Sequence, residues 1–209
     1  MDNDYLTPAG YGEAEYIDRK SRFIGQVAPA SGEGEAMAFV ESIRKKHPDA
    51  AHNVWAYYLR NGAMRYSDDG EPGGTSGQPT LNVFRSADIF DVVCVVTRYF
   101  GGILLGSGGL VRAYSRAAAM GLEAAGSARM AEWTLLRILC GYPQYERVRR
   151  LLSDFGAEDA DAAFGEDVTV TARLLSGQVS EFAARLTDVT AGTALLREIG
   201  TLFAPAKII

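Results

Sequence analysis

The sequence predicts an α+β protein of two domains, residues 1–130 and 131–209. Three observations carry this. In residues 91–118, DVVCVVTRYFGGILLGSGGLVRAYSRAA, an apolar run (Val92 to Val96) leads through a glycine-rich loop into a helical pattern. From residue 133 onward, short elements follow in the order β-α-β-β-α-β, the ferredoxin-like split βαβ pattern. Between the two, residues 126–132 read as a linker, with Gly126 and Ser127 ending the preceding helix.

Composition sets the outer limits. A length of 209 residues suits one large or two small domains, and 47% hydrophobic residues suffice for a substantial core. A net charge of −5 argues against bulk coating of nucleic acid but leaves room for a local basic patch. Cys94 and Cys140 sit in apolar runs and read as reduced core residues, not as a disulfide framework. No apolar run reaches the length of a membrane span, and the opening MDNDYLTPAGYGEAEY is acidic and polar, unlike a signal peptide. The expectation is a cytoplasmic protein with no membrane partner. No fixed-period repeat or low-complexity tract is visible.

Residues 13–28 predict two extended pieces around Lys20-Ser21-Arg22. Phe23, Gly25 and Val27 alternate toward one face, which would make Lys20 and Arg22 neighbours on the other, a solvated edge or a ligand contact. Residues 34–46 predict an amphipathic helix with Ala36, Phe39, Val40 and Ile43 as its apolar stripe. Arg44, Lys45 and Lys46 suit its C-terminus, and Pro48 prevents continuation. Residues 53–60, NVWAYYLR, predict an aromatic strand that suits core packing better than base stacking. His52 stands at its entrance, as a general base, a phosphate-orienting group or, the expected role, a hydrogen-bonded structural residue. With His47 and His52 the only histidines, a multi-histidine metal site within one chain is excluded.

Residues 65–79, RYSDDGEPGGTSGQP, predict a long loop. Asp68, Asp69 and Glu71 crowd around Gly70, where carboxylates could hold Mg²⁺, act as acid and base, or form an ordinary acidic turn. The spacing is not that of an EF-hand. Thr75 or Ser76 is the expected N-cap of a short helix through Pro79, Leu81 and Phe84.

Gly101, Gly102, Gly106, Gly108 and Gly109 then fall between Arg98 on one side and Arg112 and Arg116 on the other. Such a loop entering a helix offers free N–H groups and a positive dipole end to an anion, with Ser107 beside it and Arg98 as a clamp. The plain alternative is a tight, packed strand-to-helix connection. A helix is expected from Leu110, with Leu110, Ala113, Tyr114, Ala117, Gly121 and Ala124 on one face and Arg112 and Arg116 on the opposite one. Gly101-x4-Gly106 is followed by Ser-Gly, so it is no P-loop, and Gly106-x-Gly108 lacks the third glycine of a dinucleotide fingerprint.

In the second domain, strands are expected at 133–140, 157–164, 168–174 and 193–199. A helix over 142–155 turns Tyr145, Val148, Leu151, Leu152 and Phe155 inward and stops at Gly156; a second is marked by Val179, Phe182, Leu186 and Val189. Arg147, Arg149 and Arg150 give the first helix a basic edge that reads as a solvated face.

KSRFIG (20–25), HPDAAHNVWAY (47–57), SDDGEPGGTSGQP (67–79) and VVTRYFGGILLGSGGLVRAYSRAA (95–118), in that order, resemble the IMPACT family in its bacterial form. The resemblance covers essentially the whole chain. It implies an N-terminal domain with the fold of ribosomal protein S5 domain 2 and a ferredoxin-like C-terminal domain similar to domain V of elongation factor G. It also implies a setting: eukaryotic members regulate translation under stress by binding an activator of a kinase that phosphorylates an initiation factor. Those members carry an additional N-terminal RWD domain, which is not expected here because the chain opens almost directly at the first motif. The S5 domain 2 fold is further shared with small-molecule kinases whose glycine-rich loop holds ATP phosphates.

The leading expectation is a non-catalytic binding module that regulates or assists translation through RNA, the ribosome or a ribosome-associated protein. Its phosphate or RNA contacts would be Arg98, Gly101, Gly102, Gly106, Ser107, Gly108, Gly109, Arg112 and Arg116. Lys20, Arg22, Asp68, Asp69, Glu71 and Thr75 are candidates for a partner or ligand loop. No cofactor and no sequence-specific DNA binding are expected. The rival is an enzyme on a phosphorylated small molecule or nucleotide, with His52, Asp68, Asp69 or Glu71 as catalytic groups and Mg²⁺ on the carboxylates. It requires the acidic loop and the glycine loop to meet in one cleft. A third reading, a protein-interaction scaffold docking through the acidic loop, requires an exposed apolar patch and no convergent pocket.

Overall fold

The computed structural model describes residues 4–206, so the outermost residues of the expected domains, 1–3 and 207–209, lie outside it. Contacts divide the chain at Arg129 and Met130. The first unit opens with β1 (Tyr5–Pro8), β2 (Gly12–Asp18) and β3 (Ser21–Pro29), followed by α1 (Glu33–Lys46). β4 (His52–Tyr58), β5 (Met64–Ser67), α2 (Gly77–Ser86), β6 (Val92–Tyr99) and α3 (Ser107–Ala125) complete it. Its sheet has the strand order β2-β3-β6-β4-β5. Both faces are covered, which is why β6 is a continuous apolar run. Val92, Cys94 and Val96 pack with Phe23, Val27 and the α3 residues Ala113, Tyr114 and Ala117. Val93 and Val95 pack on the other side with Val40 and Ile43 of α1.

Helix α3 lies against β3 at backbone distance. A Cβ on Gly25 would stand 2.0 Å from the Ala117 carbonyl oxygen, and one on Gly121 2.9 Å from the Gly25 oxygen. Close packing accounts for these glycines. The expected apolar face of α3 ends one residue off: Ala124 is exposed and Ala125 is buried. The helix also begins earlier than expected, so Ser107, Gly108 and Gly109 form its first turn and do not precede it.

Two further expectations near the N-terminus need correction. Strands β2 and β3 form a hairpin whose turn residues Arg19 (φ 45) and Lys20 (φ 69) are both left-handed, the conformation a tight hairpin demands. Lys20 therefore sits in the turn and does not share a pleat face with Arg22, which pairs with Glu15 at 2.7 Å. The expected loop 65–79 also begins as strand: β5 pairs Met64 to Ser67 with β4.

The second unit comprises β7 (Ser127–Cys140) from Met130 onward, α4 (Tyr142–Asp154), β8 (Glu158–Phe164), β9 (Val168–Leu175), a 3₁₀ turn, α5 (Val179–Thr190) and β10 (Leu195–Ala206). Strand order within it is β10-β7-β9-β8, the ferredoxin-like arrangement. Helices α4 and α5 bury Val148, Leu152, Phe182 and Leu186 against Leu136, Ile138, Val170 and Leu174 of the sheet. The division between the units falls within residues 126–132, the expected linker, but that stretch is strand and not an irregular connection. Gly126 turns with φ 67 and the chain enters β7 at once. The last strand passes its expected end at residue 199 and runs to Ala206, where the Ala204 carbonyl accepts a 3.2 Å hydrogen bond from Trp133 Nε1.

Candidate functional site

The site forms where β6 hands over to α3. Gly106 caps the helix with φ 72 and ψ 167, a conformation open essentially to glycine alone, and carries no side chain to satisfy the first turn. The first intrahelical bond runs from Leu110 N–H to the Gly106 carbonyl at 2.9 Å. The N–H groups of Ser107, Gly108 and Gly109 precede that bond; among the described residues no side-chain hydrogen bond caps them, and no acidic residue stands in the turn. Arg112 leans back along this turn: its Nη1 lies 3.6 Å from the point a Gly108 Cβ would occupy. Arg112 and Arg116 are both exposed.

The remaining glycines of the loop also do structural work. A Cβ on Gly101 would meet the Lys20 backbone at 2.1 Å, and Gly101 N–H donates to Ser21 Oγ at 3.1 Å. A Cβ on Gly109 would meet Leu105 Cβ at 2.9 Å. Gly102 takes φ 84 to turn the chain. The loop is tied down further by Arg19, whose Nη1 donates to the Leu104 carbonyl at 3.3 Å.

The acidic residues go to separate tasks. Asp68 is the working cap of α2: its carboxylate accepts from Ser76 N–H (3.1 Å), Ser76 Oγ (2.6 Å), Gly77 N–H (2.8 Å) and Gly74 N–H (2.9 Å). Ser76 holds the N-cap position without capping through its own side chain, and Thr75 Oγ1 is buried, donating to the Pro72 carbonyl at 2.6 Å. Burial alone would raise the Asp68 carboxyl, but the hydrogen bonds from Ser76, Gly74 and Gly77 together hold it below the usual carboxylate value. Asp69 accepts from Asn53 N–H at 2.7 Å and pairs with Arg44 at 3.1 Å. Its carbonyl accepts from His52 Nδ1 at 2.8 Å, which fixes the proton on Nδ1 and leaves Nε2 3.8 Å from Glu71 Oε1.

Glu71 alone of the three turns inward. Its Oε1 accepts from Arg98 Nη1 at 2.6 Å and from Tyr114 Oη at 2.7 Å. Burial first, and then the Glu71 charge, push the Tyr114 hydroxyl far above its ordinary range, so it stays a donor. Arg98 is 5% exposed and Glu71 8%, so each neutralises the other inside the protein. Arg98 is therefore no free clamp for an anion. Nor do Asp68, Asp69 and Glu71 converge on a cation, and no group of His, Cys, Asp or Glu suited to a metal exists among the described residues.

Above Glu71 lies a cleft of about 510 Å³, bounded by His52, Glu71 and Arg98 on one side and by Gly106 and Ser107 on the other. Phe100 (51% exposed) and Leu104 (81%) stand at its rim. The acidic loop and the glycine loop thus meet in one cleft, through Glu71 only, and an apolar patch and a convergent pocket occur together. Lys20 and Arg22 lie outside it. Sequence reasoning placed Tyr114 on the core face of the helix but missed its hydroxyl bond; a buried tyrosine oxygen needs a partner, and that was the available signal.

A glycine-capped helix over a buried Glu–Arg–Tyr cluster, in an α+β unit followed by a ferredoxin-like one, defines the class of protein. The family model described as the Impact N-terminal domain matches residues 19–122, and that of a domain of unknown function, DUF1949, matches residues 138–193. The chain belongs to the IMPACT family. It is 36% identical over 199 residues to IMPACT family member YigZ of Escherichia coli, covering 93% of this chain and 98% of that one. It is 40% identical over 177 residues to a family member of Thermus thermophilus, covering 84% and 97%. A crystal structure of a hypothetical protein aligns with TM-score 0.61 and 34% identity over 96% of this chain and 98% of the other. The eukaryotic Protein IMPACT of Xenopus laevis is more distant: 33% identical over 108 residues, 48% of this chain and 34% of its own length.

Proposed function

We propose that this protein is a non-catalytic binding module of the translation apparatus that engages RNA, free or on the ribosome, through the first turn of α3. The observation that carries this reading is the uncapped helix N-terminus at Ser107 and Gly108, open to solvent, with Arg112 folded back over it and Arg116 one turn further along. Backbone N–H groups and arginines of this kind contact phosphates without reading sequence. The carboxylates and Arg98 are held by partners within the fold, which favours binding over chemistry. The test is a titration of single-stranded RNA across salt concentrations with the wild type and an Arg112→Ala, Arg116→Ala variant. The expected result is salt-sensitive binding that the double variant weakens. Equal binding by both proteins, or none by the wild type, rejects the reading.

A second reading, an enzyme on a phosphorylated small molecule or nucleotide, is favoured by one observation: Glu71 and His52 share the cleft with the α3 N-terminus. Turnover of such a compound, abolished by Glu71→Gln in a folded protein, would replace the first reading.

A further inference from the structure

The cleft is more selective than a phosphate-tracking surface needs to be. The protein treats the N-termini of α2 and α3 differently. At α2 it supplies its own carboxylate, Asp68, to the free N–H groups. At α3 it supplies none, and Gly106 and Ser107 of that uncapped turn form a wall of the cleft. A second, independent feature points into the same space. The Glu71 side chain is 3% exposed, and both its donors use Oε1. Among the described residues no hydrogen bond reaches Oε2, an acceptor at the floor of the cleft. Arg98, which lines the same floor, leaves its buried Nε–H without a partner. Oε2 is not fully buried, so a donor in the cleft can reach it.

We infer that the cleft binds a phosphomonoester, with the phosphate on the first turn of α3 beside Arg112 and a hydroxyl or N–H of the same ligand donated to Glu71 Oε2. The inference rests on the reading of the α3 N-terminus as a phosphate site and makes it specific. A terminal phosphate carries about −1.5 to −2 charge and three free oxygens, whereas a chain-internal diester offers one charge and two free oxygens. Three unbonded N–H groups, the Ser107 hydroxyl and a guanidinium suit the former. The cleft volume of about 510 Å³ accommodates a single nucleotide and not a duplex. Half-exposed Phe100 at the rim offers a stacking face. The same chemistry belongs to a phosphorylated RNA end and to a free nucleotide, and the experiment separates them.

The experiment titrates the full chain with a short single-stranded RNA bearing a 5′-phosphate, the same RNA with a 5′-hydroxyl, adenosine monophosphate and inorganic phosphate. A Gly108→Asp variant is measured in parallel. Position 108 has room for a side chain, and an acidic residue in a first helical turn suits the dipole, so this variant should keep its Tm while placing a carboxylate where the phosphate would sit. The expected result is at least about tenfold preference for the 5′-phosphorylated RNA over its hydroxyl counterpart, lost in Gly108→Asp. Adenosine monophosphate binding as tightly as that RNA supports the inference with a free nucleotide as the source. Inorganic phosphate binding as tightly as adenosine monophosphate overturns the Glu71 contact. Equal binding of the two RNAs, weakened by Arg112→Ala, Arg116→Ala, overturns the inference and leaves the RNA reading standing. Binding of adenosine monophosphate with no affinity for either RNA does the reverse. No binding of any probe overturns both.

Discussion

At the scale of single residues, the acidic loop shows how one sequence motif serves several purposes. Asp68 is a helix cap, Asp69 a strap between β4 and α1, and Glu71 the floor of a cleft. Asp68→Ala should cost about 0.5–2 kcal/mol, the usual range for a lost cap, measured by denaturant unfolding. Its pH dependence has a definite sign. The folded-state pKa is depressed, so the stabilisation is complete above the unfolded value of about 3.9 and is lost as pH falls through the folded one. Asp68→Asn should remove that acid-side component and leave the rest of the profile unchanged. Glu71→Ala should be harsher, at about 3–5 kcal/mol, because it strands the Arg98 charge in the interior. A Glu71→Met, Arg98→Met double variant should recover much of that loss in the same unfolding assay, since no unpaired charge remains.

At the scale of elements, the decisive contact is between α3 and β3. The hydrophobic run of β6 and the stripe on α3 are ordinary core patterns, but the helix can approach only because the facing positions lack side chains. Gly25→Ala should prevent close docking and lower the yield of folded protein or cut Tm sharply, since the Ala117 backbone stands 2.0 Å from the new atom. Gly34→Ala, in the first turn of α1 with open space around it, should instead stabilise, by less than the roughly 0.5–1 kcal/mol of a helix interior. An unchanged Tm for both would contradict this account of the packing. The same docking fixes where the α3 N-terminus lies, so the packing glycines position its first turn from a distance.

At the scale of the whole molecule, a net charge of −5 means that any RNA contact must come from a small local surface. The salt dependence of RNA binding should therefore be shallow, and removing Arg112 and Arg116 should reduce its logarithmic slope by about 0.7 for each phosphate they neutralise. A slope unchanged in the double variant would move the interface elsewhere on the chain. Membership of the IMPACT family and the α+β class could be read from the sequence, because long glycine- and acid-rich motifs and local periodicity survive in one dimension. So could most elements: the stripe of α1, the run of β6 and the ferredoxin-like order of the second unit all follow from patterns within a few residues of each other. What the sequence left undecided was who bonds to whom. Arg98 reads as a free clamp until the fold brings it to Glu71, 27 positions away, and Tyr114 reads as core until its hydroxyl reaches the same oxygen across 43. Strand pairing and helix docking set those distances, and only they decide that one carboxylate faces the cleft while its two neighbours are consumed in holding the loop.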